Sequence, residues 1–209
     1  MLGAIKRNEH MDFEKISKTI LGLKEKDDKL RAKLIKNGTL SNGYNQEMKV
    51  IHDSNAEELN RIIDVIGFPT SEKLGEEASN AAWLIIQHSI GQPDFMKKCA
   101  ALMEIEVENG QADKIDFAYL TDRVAVFEGN PQLYGTQFDW DENGEMSPVK
   151  MDEYDKVNKR RKAIGLNSLE EQIKVMRARI KTENQRPPKD YEARKREYDE
   201  WRKSVGWIK

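Results

Sequence analysis

The chain has 209 residues and a mass of 24.2 kDa, enough for one domain with a sizeable core, or that domain and an appendage, and short for two. Charged residues make up 34% and hydrophobic ones 38%, and a mean hydropathy of −0.80 excludes a chain built from membrane spans. The net charge of −2 hides an asymmetry, because residues 151–209 carry 17 Lys and Arg against 11 Asp and Glu, leaving an acidic body ahead of a basic tail.

The opening residues MLGAIKRNEHMDF lack a long apolar stretch, so no secretion signal is expected there. Cys99 is the single cysteine, which leaves neither an internal disulfide nor a thiolate metal cluster and makes a cytoplasmic setting the expectation.

From Asp12 to Lys36, the spacing of Phe13, Ile16, Ile20, Leu23, Leu30 and Leu34 predicts an amphipathic helix, ended by Asn37-Gly38. The turn-rich segment 37–43 leads to a second helix through Met48, Ile51, Leu59, Ile62, Ile63 and Ile66, with a break expected near Ser54. After Phe68-Pro69-Thr70-Ser71, the stretch Glu76–Ile90 is apolar around its whole circumference, as a buried helix requires. Pro93 opens the next helix, which ends at Asn109-Gly110, and Asp113 caps another that ends at Gly129.

Helical spacing is lost between Asn130 and Val149, where QLYGTQFDW followed by DENG reads as a strand entering a turn, a small hairpin or an ordered loop. Helices resume over Asp152–Ala163, from Ser168 to about Lys181 with a Ser168–Glu171 capping box, and after Pro187-Pro188. The expected fold is therefore mainly α: a single helical domain of seven or eight helices with strand confined to 132–149. The expected organisation is an N-terminal helix over 1–40, a core over 45–170 and a basic helical extension over 171–209. The ENQRPP linker at 183–188 marks the last helix as accessory.

Function is sought where polar residues interrupt the apolar pattern. His88 lies on the apolar stripe of its helix, in register with Ala81, Leu84 and Ile85; it is either a core histidine held by a hydrogen bond or a group facing a pocket. Asp122 and Arg123 interrupt the next-but-one helix between Tyr119-Leu120 and Val124-Ala125-Val126-Phe127. Two charges in that company need partners, either in a structural ion pair or in an Arg123 fork offered to a substrate carboxylate or phosphate. On a strand, Gln132, Tyr134 and Thr136 would share one face, opposite Leu133 and Gln137, with Gly135 permitting close backbone approach.

His52-Asp53 resembles the adjacent metal ligands of helical phosphohydrolases, but that chemistry needs a further histidine, and His10 stands near the terminus. No metal site and no cofactor are expected. The basic tail alternates in sign, as a solvated helix face does, so nucleic acid is not the expected partner, nor is a membrane.

The ordered series Asp53-x-Asn55, Gly67-x-Pro69, Gly75, AAWLIIQH at 81–88, TDR at 121–123, Gly129 and QLYGTQ at 132–137 resembles a bacterial family known as domain of unknown function 6624, over roughly residues 45–170. Phe68 stands where that family usually has tryptophan, and His88-Ser89-Ile90 departs from an HAD-like triplet. The resemblance implies a shared site without naming its chemistry.

Two readings stay open. In the first, the protein is a small hydrolase or transferase acting on an anionic substrate, with His88, Asp122 and Arg123 catalytic and Asp53, Asn55, Gln87, Gln132, Tyr134, Thr136 and Gln137 holding a small molecule or peptide. In the second, the same polar residues fix the 130–149 segment and the protein is a non-catalytic binding or regulatory module.

Overall fold

A computed structural model describes residues 12–40 and 44–209, so His10 and the end of the 37–43 turn lie outside the described residues. Among the described residues the chain is mainly helical, with nine helices and one two-stranded antiparallel sheet. The packing divides it into two compact units, with the division between Ile85 and Ile86.

The first unit is built on α1 (Phe13–Lys36) and α2 (Gln46–Ile66), which pack together. Asp12 caps α1 by accepting from the Lys15 amide, and Asn45 caps α2 by accepting from the Glu47 and Met48 amides, satisfying donors that a helix start leaves unpaired. Of the apolar stripes read from the sequence, Ile20, Leu23 and Leu34 on α1 and Met48, Leu59, Ile63 and Ile66 on α2 are buried, Ile16, Leu30, Ile51 and Ile62 are half-buried, and Phe13, in the first turn of α1, is exposed. Asn55 ties the two helices by donating from Nδ2 to the Leu23 carbonyl at 3.1 Å. No break occurs at Ser54. A single turn, α3 (Ser71–Leu74), follows Pro69 and adds an element too short for periodicity to reveal; Ser17 Oγ donates to the Leu74 carbonyl at 2.9 Å. Helix α4 (Glu76–His88) starts in this unit, and its last turn belongs to the second.

In the second unit, α5 (Pro93–Glu108) packs against α6 (Lys114–Glu128), with Phe95, Met96, Cys99 and Met103 buried on the former and Ala118, Leu120 and Phe127 on the latter. Asp113 caps α6, and Gly129 closes it in the left-handed region. The hairpin is smaller than the sequence suggests: β1 (Phe138–Trp140) pairs with β2 (Met146–Pro148), the turn between them organised by Asp141, whose carboxylate accepts from the Asn143 and Glu145 amides. Residues 133–137 form no strand, only an isolated bridge joining Gln132 to Met151.

Helix α7 (Tyr154–Ala163) leads to α8 (Leu169–Thr182), where both hydrogen bonds of the Ser168–Glu171 capping box are present. Helix α9 (Tyr191–Val205) returns to α6. Its Trp201 meets Phe127 edge-on at 5.5 Å between ring centroids, and the following Trp207, 5% exposed, lies 4.9 Å from the same ring. Trp207 Nε1 donates to the Ile90 carbonyl at 2.7 Å, so both the apolar and the polar part of the indole are accommodated. No helix among the described residues is long and apolar enough to cross a membrane.

Candidate functional site

The polar intrusions on α6 take two separate roles. Asp122, 1% exposed, turns its carboxylate to the segment after the helix and accepts from the amides of Leu133 (2.8 Å), Tyr134 (3.1 Å) and Thr136 (2.9 Å) and from the Thr136 hydroxyl (3.0 Å). Three amides directed at one carboxylate curl this backbone and remove it from strand pairing. Burial raises the Asp122 pKa while these donors pull against the rise.

The opposite polarity is met by Arg161, a buried guanidinium on α7. Its Nη1 donates to the Tyr134 carbonyl at 2.8 Å, and its Nε and Nη2 donate to the backbone and side-chain oxygens of Asn167, both at 2.7 Å. Gly135, at φ +62°, sits in this clamp; a Cβ there would be 3.0 Å from Leu169 Cδ1. Gln132, fully buried, completes the support: Nε2 donates to the Gln137 and Val149 carbonyls, and Oε1 accepts from the Gln137 amide at 2.7 Å.

Arg123, one residue on, lines a cavity of about 660 Å³ whose walls come from α6, the hairpin and α9. Gln137 shares that cavity, as do Phe138, Trp140, Tyr191 and Tyr198. Arg123 Nη1 donates to the Gln87 carbonyl at 3.0 Å, while Nε is buried without a hydrogen-bond partner. Among the described residues no carboxylate pairs with this guanidinium. Burial pulls its pKa down, yet an arginine remains protonated at neutral pH. On the facing helix, burial pushes the Tyr198 phenol up to about 12, so it enters the cavity as a neutral hydroxyl.

The remaining cations of the cavity fall into two groups. Arg194 pairs with Asp139 at 2.8 Å, and Arg202 pairs with Asp199 and donates to the Phe127 carbonyl at 3.0 Å. Lys150 reaches only a carbonyl, that of Gly129, at 3.2 Å, and Lys195 is exposed with no carboxylate partner among the described residues. The third lining carboxylate, Asp141, is held below its usual pKa by the donors of its own turn and the Ser147 hydroxyl.

The sequence-derived candidates are therefore distributed over several places. Arg123 and Gln137 line the cavity; Asp122, Gln132, Tyr134 and Thr136 belong to the network supporting its hairpin; Gln87 meets Arg123 through its backbone carbonyl. His88 ends α4, half-buried, and is not among the residues lining the cavity. Asn55 and Asp53 lie in the first unit, the former tying α2 to α1 and the latter paired with Lys49. There His52 Nδ1 lies 2.8 Å from the Tyr44 hydroxyl and Nε2 lies 3.4 Å from Asp27 Oδ2, so the His52-Asp53 dipeptide divides between different partners. Burial, with the Asp53 and Asp27 carboxylates, pushes the Tyr44 phenol well above its usual value.

The sequence reading missed Arg161 and the whole α9 wall. Arg161 sits in an RRK run that reads as solvated, and the tyrosines of α9 are interleaved with alternating charges. The signal for α9 is aromatic content, Tyr191, Tyr198 and Trp201 on the helix and Trp207 just after it, within a stretch otherwise fit for solvent.

No curated protein and no solved structure matches the chain. A family model does, across residues 14–181, taking in α1 to nearly the end of α8 and leaving α9 beyond the match. Every motif carrying the resemblance falls inside that span, and the chain belongs to the family of unknown function DUF6624.

Proposed function

We propose that this protein is a binding module for a small anionic organic molecule, taken up in the cavity between α6, the hairpin and α9. The observation that carries the reading is Arg123, a guanidinium in the cavity wall whose buried Nε has no partner, and which no carboxylate neutralises, among the described residues. Removing a charge from water is costly unless an opposite charge answers it, and an anionic ligand supplies that charge at the open side of the fork. Gln137 adds an amide to the same wall, while Asp122, Gln132, Tyr134 and Thr136 act indirectly by holding the hairpin.

Binding is preferred to hydrolase or transferase chemistry because His88, the candidate general base, is not a lining residue. The lining carboxylates have structural partners, Asp139 in Arg194, Asp199 in Arg202 and Asp141 in its own turn. On this reading the 171–209 extension is part of the site, since α9 supplies one wall.

The test is a thermal-unfolding screen of the full chain against small carboxylates and phosphates, beside an Arg123→Met variant. A ligand at a hundred times its Kd adds about 2.7 kcal/mol to stability. The expected result is a rise in Tm with at least one anion that is absent in the variant; no rise with any anion, or an equal rise in both proteins, contradicts the proposal.

A further inference from the structure

We infer that the ligand of this cavity is a mononucleotide: a planar base carrying one phosphate monoester. The inference rests on the anion-binding reading above and goes beyond it by naming the chemical class.

Three properties of the walls converge on that class. The first is the excess of positive charge. Among the described residues, Arg123, Lys150 and Lys195 line the cavity without carboxylate partners, whereas each of the three lining carboxylates has a partner. A monocarboxylate answers one of those cations; a phosphate monoester, close to a dianion at neutral pH and with three acceptor oxygens, answers more than one.

The second is aromatic surface. Phe138 and Trp140 line the cavity from β1, and Tyr191 and Tyr198 line it from α9. Tyr198 is itself stacked on Trp201 with Arg202 over its ring, so it offers the cavity its edge and hydroxyl; Phe138 and Trp140 on one side and Tyr191 on the other are the rings that suit a flat ligand, by stacking. A sugar phosphate or an aliphatic acid would leave these faces wet. The third is size: at about 660 Å³, the cavity lies within the roughly 300 to 1,000 Å³ typical of small-molecule sites and is far larger than a free phosphate needs.

The two parts of the ligand thus have different hosts. The family-matched body supplies Arg123 and Lys150 for the phosphate together with one aromatic wall, and α9, beyond that match, supplies Tyr191, the Tyr198 hydroxyl and Lys195. In this assignment α9 selects which ring is accepted.

The experiment is calorimetric titration of the full chain with the four common nucleoside monophosphates, their nucleosides, inorganic phosphate and benzoate. Arg123→Met, Lys195→Glu and Trp140→Phe are titrated alongside, each with its melting curve. Lys195 is exposed, so its variant should melt as the parent does and report on charge alone. The expected result is binding of at least one nucleoside monophosphate, at least tenfold tighter than its nucleoside, inorganic phosphate or benzoate. Arg123→Met and Lys195→Glu should each weaken it at least tenfold, and Trp140→Phe should diminish the tryptophan fluorescence change on binding. Arg123-dependent binding of benzoate without any nucleotide would overturn the nucleotide assignment and leave the anion site standing. No binding by any anion would overturn both, and nucleotide binding indifferent to Arg123 and Lys195 would place the ligand elsewhere and overturn this inference.

Discussion

Thr136 meets Asp122 twice, its amide at 2.9 Å and its hydroxyl at 3.0 Å from the same carboxylate oxygen, Oδ2. The carboxylate thereby fixes the backbone just ahead of Gln137, a residue of the cavity wall. Replacing Asp122 by asparagine puts an NH2 where an acceptor stood and strands at least one loop amide. An unsatisfied buried donor costs about 1 to 3 kcal/mol, so Asp122→Asn should lower unfolding stability by roughly that amount in a denaturant titration. A variant as stable as the parent would show that the carboxylate does not hold the loop.

Gly135 offers an independent check of the same clamp. Its φ of +62° disfavours any side chain, and a methyl there meets Leu169 Cδ1 at 3.0 Å. Gly135→Ala should cost about 1 to 3 kcal/mol of stability from backbone strain alone. It should also weaken ligand binding, since the displaced segment leads directly into Gln137. Unchanged stability would remove the argument that this glycine is needed for the turn.

Helix α9 and the residues after it join the body through Trp207, and Trp207→Ala should cost about 3 to 5 kcal/mol by analogy with other buried tryptophans. A chain ended at Gln185 should still unfold cooperatively, at a lower Tm, because α5, α6, the hairpin, α7 and α8 retain their mutual contacts. It should lose ligand binding, having lost one cavity wall. Full ligand affinity in the shortened chain would exclude α9 from the site.

Asp116, half-buried beside Asp113, has its pKa raised from 3.8 to about 6, by burial first and then by the neighbouring carboxylate. The folded protein therefore holds this proton more tightly than the unfolded chain does. Its contribution is greatest below the unfolded value and is lost as pH rises towards 6. Asp116→Asn should be more stable than the parent at pH 7, by about 1 kcal/mol after allowing for solvent screening, with the difference fading below pH 4. Denaturant unfolding at the two pH values checks this, and a difference that is the same at both would contradict it.

Much of the helical framework was legible because its signals are local. Asp113 and Ser168 announce helix starts within one turn of chain, and Gly129 announces a stop. The cost of burying Asp122 was legible too, but its partners were not: they are backbone amides 11 to 14 residues downstream, and an amide has no residue type to read. The same limit turned 132–137 into an expected strand, since alternation on paper ignores a carboxylate that gathers three amides on one side.

In the first unit, the sequence sets His52 beside Asp53, whereas the carboxylate its Nε2 approaches is Asp27, on another helix. The role of α9 was hidden for a different reason. Its alternating charges satisfy the rule for a solvated face, and Trp201 and Trp207 are six residues apart, with Trp207 beyond the helix, so no helical stripe marks the side that docks on Phe127.

If Arg123 answers an anion in the α6–hairpin–α9 cavity, calorimetric titration of the best-bound anion into the parent, Arg123→Lys and Arg123→Met separates the three proteins. If the planar fork is the anchor, lysine should restore only part of the affinity, and methionine should lose at least tenfold, about 1.4 kcal/mol, while both variants remain folded. Equal affinity in all three folded proteins would show that Arg123 does not hold the anion.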